Sequence, residues 1–288
     1  MNKTKTLSNK QIQELSKLSE DFENIVLYAN SIADDIKSSP TAFLDLLTPP
    51  YYWSTFYDRP LVTLTGQLNI VIEFYTLFKH DDLSSRTVQK RKADARKRNI
   101  KEKHLDKFGR IEQKYIFGLT MAVINSLESI ARYCKPIDVL IQEMKDGCDQ
   151  SLFKAISIDR TVVTNPIVAD RIAFAEYCDD TLFFRGICGS FENTSYGEKS
   201  KSKHSKGRGL SFRNPDSQLD KLRFLLYHLA EEGLLETLTQ KSALVLFVDT
   251  LRVYSNDDAG TLWKNIRDWK KKSGYSQGSI PTPSESSI

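Results

Sequence analysis

Apolar residues recur along this chain at three- and four-residue steps rather than at every second position, a spacing that predicts helices. Ser8 and Gln11 form an S-x-x-Q capping box. Behind it Leu15, Leu18, Phe22, Ile25, Ala29, Ile32 and Ile36 line one face of a long amphipathic helix. That pattern stops before Pro40, and a short helix is expected over 41–47. Pro49-Pro50 then breaks the chain ahead of an aromatic cluster, Tyr51, Tyr52, Trp53, Phe56 and Tyr57. Clustered aromatics can stack on bases, but they more often plug a core beneath a helix junction. Segment 61–78 follows Pro60 and is apolar on most sides, so a buried helix is expected. Segment 111–133 is apolar nearly all round and reads as a central buried helix ended by Lys135-Pro136. Helices follow over 137–144, stopped near Gly147, and over 167–177. Only 162–166 has some strand character.

Periodicity is lost from Phe191 to Asn214, a stretch rich in Ser, Lys and Gly, which reads as a flexible basic linker or loop. Three compact helical segments follow. In the first, Leu219, Leu222, Leu226 and Leu229 share a face and Gly233 is the stop; the second covers 242–253. Ser255 to Asp258 caps the third, in which Leu262, Ile266 and Trp269 point inward. The tail 273–288 is rich in Ser, Pro and Gly and is expected to be disordered. The fold class is therefore all-α. An N-terminal multi-helix bundle spans 1–190, with a basic helix at 84–108. The linker takes 191–214, and a small C-terminal three-helix domain takes 215–272.

Charge changes the picture at one place above all. Between Arg86 and Arg110 stand eleven Lys or Arg residues against three acids, a local net charge of +8 in a chain whose total is +4. The remainder is thus net acidic, and the positive charge is localised. A localised positive stretch attracts polyanions, nucleic-acid backbones foremost, through counterion release. Within it Arg91, Lys92, Arg96, Lys97, Arg98 and Lys101 are candidate phosphate contacts. Lys203, Lys206 and Arg208 in the linker are further candidates.

Specific chemistry is scarce. Cys134, Cys148, Cys178 and Cys188 form no C-x-x-C pair, and the four His do not complete zinc-ligand spacing with them. Reduced thiols in or near the core are expected, which suits a reducing, cytoplasmic compartment. The N-terminus lacks a secretory apolar region, and no apolar run reaches the length of a membrane span, so no membrane partner is expected. No metal site and no cofactor are called for. Asp81-Asp82, Asp179-Asp180 and Asp257-Asp258 each precede an expected helix and read as caps.

Three helices joined by short connections match the size of a helix-turn-helix or winged-helix module, whose last helix presents basic side chains to the major groove. Lys264, Arg267 and Lys271 are the candidates there, with Asn265 chemically suited to a base edge. The stretches LDKLRFLLYHLAEEGLLE, ALVLFVDTLRV and LWKNIRDWKKK resemble RteC-like regulators of Bacteroidetes conjugative elements. That resemblance covers roughly 50 residues and rests on apolar spacing. It implies a mostly helical protein that binds DNA through its C-terminal half.

A competing pattern is R-x4-H at Arg223 and His228, with R-x5-H at Arg98 and His104. Both look like the short signature of HEPN ribonucleases, all-helical proteins that dimerise to build their site. His would serve as general acid or base and Arg as phosphate clamp. Yet a spacing of five turns the two side chains about 140° apart on a helix. The expected function is non-catalytic nucleic-acid binding by a regulator, with DNA the favoured partner and homodimerisation left open. A HEPN-like ribonuclease is the first alternative. The second is a scaffolding protein that binds an acidic partner or packaged nucleic acid.

Overall fold

The computed structural model describes residues 7–38, 53–79, 102–192, 218–255 and 259–274. Outside them lie the expected helix 41–47, Tyr51 and Tyr52, the basic helix up to Lys101, most of the 191–214 segment, the 256–258 cap and the tail beyond Gly274. The described residues are helical, with no strand among them. They divide between two compact units. One holds residues from 21–129 and 136–215, the other residues from 1–20, 130–135 and 216–288. The C-terminal helices thus share a unit with the chain's first residues, which sequence periodicity groups with the N-terminal region.

In the larger unit, α1 (Asn9–Ser38) contributes its residues from 21 onward, followed by a 3₁₀ turn, Trp53–Asp58, and α2 (Leu61–Lys79). The capping box at the start of α1 forms as expected: Ser8 N–H donates to Gln11 Oε1 at 2.9 Å, and Gln11 N–H to Ser8 Oγ at 3.3 Å. Helix α2 is not buried all round. Leu61, Leu64 and Leu68 are buried, whereas Val62 and Ile70 are half exposed. Helix α3 (Glu102–Tyr133) is longer than the expected 111–133 and buries nearly every residue from Phe117 to Ala131.

Next come α4 (Ile137–Lys145), α5 (Asp149–Ile158), a 3₁₀ turn Arg160–Thr164, α6 (Pro166–Tyr177) and α7 (Thr181–Glu192). Helix α5 packs on α4 and on α7. The expected strand at 162–166 is instead that 3₁₀ turn and the start of α6. Asp159 Oδ1 accepts from Thr161 N–H at 2.8 Å, and Asn165 Oδ1 accepts from Ile167 N–H at 3.0 Å. These side-chain caps bend β-branched residues into a turn, and no neighbouring strand stands among the described residues to compete. The pair Asp179-Asp180 does cap, in two ways. Asp179 takes a left-handed φ of 52° to close α6, and Asp180 Oδ1 accepts from Phe183 N–H at 3.0 Å to open α7.

The aromatic cluster is structural where it is described. Trp53, Phe56 and Tyr57 are buried. Trp53 Nε1 and Tyr57 Oη both donate to Asp159 Oδ2 at 2.5 Å, and Asn125 Nδ2 donates to the same oxygen at 3.0 Å. Four donors from three segments therefore converge on one buried carboxylate, counting Thr161 N–H on its other oxygen. That saturation is what allows a charge to be buried there. The thiols depart from expectation. Cys134 is buried, but Cys148, Cys178 and Cys188 are exposed, since each stands at a helix end or on an outer helix face.

In the smaller unit, α8 (Gln218–Glu231) is followed by a 3₁₀ turn, Leu235–Thr237. Helix α9 (Gln240–Leu244) then continues as a π segment, Val245–Thr250, and α10 (Ala259–Ser273) closes the unit. Gly233 ends α8 as expected. Its φ of 64° lets Gly233 N–H reach the Ala230 carbonyl and Leu234 N–H the Leu229 carbonyl, the two bonds of a Schellman motif. Leu222, Leu225, Phe247, Leu262 and Ile266 are at 0% exposure, so α8, the π segment and α10 share one apolar core. No described helix is long and apolar enough to cross a membrane.

Candidate nucleic-acid interface

The amphipathic spacing of α10 decides what it shows to solvent. Leu262, Ile266 and Trp269 are buried against the core, and they lie within an arc of about 60° on the helix. Lys264, Arg267 and Lys271 lie on the opposite side, again within about 60°, and all three are exposed. Lys272 is exposed beside them. Asp268 is the acid on this side. The three predicted cations are therefore brought together on one face.

Neighbouring polar groups hold the helix in place. Asn265 Nδ2 donates to Tyr254 Oη at 2.8 Å, which ties this half-buried amide to the residues ahead of α10. Lys270 pairs with Glu236 at 3.7 Å, which ties α10 to the 3₁₀ turn after α8. Phe247, whose carbonyl accepts from Val253 N–H at 2.8 Å and Tyr254 N–H at 3.1 Å, anchors the turn that carries Tyr254. Residues 251–255, which follow the π segment, lie outside any helix, already a longer connection than the three- or four-residue turn of a helix-turn-helix.

Of the other predicted contacts, Arg91, Lys92, Arg96, Lys97, Arg98 and Lys101 lie outside the described residues, as do Lys203, Lys206 and Arg208. His104 falls within α3. Arg223 and His228 are both described, and each has its own surroundings. Arg223 Nη1 donates to the Ala131 carbonyl at 2.6 Å and reaches Asp220 Oδ1 at 3.4 Å. The His228 ring is buried, edge-on to Phe224 at 4.6 Å and to Tyr227 at 5.6 Å. Burial pushes its pKa down to about 4, and Nε2 has no hydrogen-bond partner among the described residues. The pair thus serves as a carbonyl clamp and a neutral core ring.

Among the described residues, no group of three or more His, Cys, Asp or Glu is placed to hold a metal ion. Sequence reasoning missed the cavity beside α9, because its walls come from opposite ends of the chain. Compared with family models, curated proteins and solved structures, the chain finds no match in any of the three.

Proposed function

We propose that the protein binds nucleic acid without cutting it, with duplex DNA as the favoured partner and a regulatory role. The observation that carries this reading is the α10 face. Lys264, Arg267 and Lys271 stand exposed on a helix whose other side is wholly buried. A helix held on one side by a core and on its flank by Tyr254 and Glu236 presents its cations at fixed heights. Fixed heights are what groove recognition needs, whereas loosely held cations only neutralise phosphates. The resemblance of this same stretch to RteC-like regulators points in the same direction. The non-helical stretch 251–255 favours a helix presented in its own manner over a strict helix-turn-helix. The +8 stretch at 86–110 and the basic 199–213 segment would supply sequence-independent grip.

The ribonuclease alternative needs His228 to exchange a proton with substrate, and its buried, neutral ring gives that role no support. The test separates reading from gripping. Arg267→Ala is expected to weaken a preferred duplex by about 1–3 kcal/mol and to leave random duplex nearly unchanged. Removing the charges of Lys97 and Arg98 is expected to weaken both alike and to flatten the salt dependence. If both changes act identically on every duplex, α10 is not a reader. If duplex DNA does not bind while an acidic protein does, the scaffold alternative takes its place.

A further inference from the structure

The surface of the smaller unit carries a half-open cavity of about 410 Å³ that no α10 residue lines. Leu7 and Ile12, at the start of α1, form one wall, and Leu238, Val245 and Leu246 form the other. Its volume falls within the range of roughly 300–1,000 Å³ usual for small-molecule sites. The Val245–Thr250 wall is the π segment, a distortion found disproportionately at functional sites.

The polar part of the lining defines the ligand. Four hydroxyl residues line the cavity, and their hydrogens are already committed. Thr237 Oγ1 donates to the Leu234 carbonyl at 2.6 Å, and Thr250 Oγ1 to the Val245 carbonyl at 2.9 Å. The Thr239 and Ser242 hydroxyls lie 3.0 Å apart, and Ser242 Oγ also lies 3.1 Å from the Thr239 carbonyl. Lys241 is the lining side chain left to donate, it is exposed, and no acid lines the cavity among the described residues. A neutral polar ligand would find few partners there. A compact apolar body carrying one negative charge would fill the cavity and meet Lys241 at its mouth.

We infer that this cavity binds a small amphipathic carboxylate, its apolar body between Leu7, Ile12 and Leu246 and its carboxylate on Lys241. This site is independent of the nucleic-acid reading.

The test is calorimetric titration of the full chain with decanoate, and with decanol as the uncharged counterpart. Saturable one-site binding of decanoate is expected, at least tenfold tighter than decanol. Lys241→Met, which keeps the apolar stem, is expected to erase that tenfold difference. Val245→Trp should abolish binding by filling the cavity, and because Val245 is half exposed the fold has room for the larger ring. Ile12→Trp fills the cavity from the α1 side and serves as the second blocking variant, each checked for an unchanged helical circular-dichroism spectrum. The inference is overturned if decanoate fails to saturate the wild-type chain. It is equally overturned if a folded cavity-filling variant binds as before, or if Lys241→Met leaves the preference for decanoate intact.

Discussion

The two units solve the problem of burying polar residues in opposite ways. The larger one sinks a carboxylate, Asp159, into its interior and surrounds it with Trp53, Tyr57, Asn125 and the Thr161 amide. The smaller one keeps its core almost wholly apolar and sends its charges outward on α10. The Trp-Tyr-Asn-Asp grouping has the richer chemistry, yet it is closed to any partner and holds the fold together. The plainer row of Lys264, Arg267 and Lys271 is open to solvent, which is why the proposed contact is placed there. Access, more than chemical variety, decides between the two groupings as candidates for a partner.

The contrast is broken most severely at Asp159. Asp159→Ala would leave the buried Trp53 Nε1 and Tyr57 Oη without their acceptor and remove one from Asn125 and the Thr161 amide, and we expect a loss of roughly 3–5 kcal/mol. Chemical denaturation measures it. A loss below about 1 kcal/mol would mean that the carboxylate is not a keystone. Because Lys264, Arg267 and Lys271 are exposed, replacing them should leave stability almost unchanged.

The smaller unit has its own weak point in His228. The ring's pKa is about 4 when folded, against an ordinary value of 6.5, because burial disfavours the charged form. Between those two values the unfolded chain binds a proton that the native chain refuses. Stability from this residue is therefore complete above pH 6.5 and is lost as the pH falls toward 4. The full loss is on the order of 3 kcal/mol. His228→Phe keeps an aromatic ring on Phe224 and Tyr227 and should remove that part of the pH dependence. Unfolding curves of both proteins across this range supply the comparison, and identical slopes would contradict the assignment. A smaller effect is expected at Arg223. Its bond to the Ala131 carbonyl is charge-assisted, so Arg223→Ala should cost about 1–2 kcal/mol in the same assay.

Local signals carried much of the fold. The Ser8–Gln11 box, the Gly233 stop and the Asp180 cap are short-range devices, and the structure uses each of them. Helix α5 escaped notice because it is short and its N-cap, Cys148, makes no side-chain cap bond. The β-branched run at 161–163 imitates a strand, and only the Asp159 and Asn165 caps reveal a turn. Periodicity was enough to place Lys264, Arg267 and Lys271 together, since one helix's spacing decides it. It could not reveal that Asn265 is engaged by Tyr254, or that Leu7 meets Leu246 across a cavity. Those juxtapositions depend on how segments far apart in sequence pack.

The central claim is that the α10 face binds nucleic acid, and salt dependence tests it most directly. Duplex DNA is titrated with the wild-type chain and with a Lys264→Ala, Arg267→Ala, Lys271→Ala variant, each at low and at moderate salt, with unfolding curves to show that both are folded. With Arg267 at a base edge as proposed, Lys264 and Lys271 are left to contact phosphates, so the variant's slope of log affinity against log salt should be shallower by about 2, with weaker binding at both salts. Equal affinities and equal slopes for the two proteins would contradict the account.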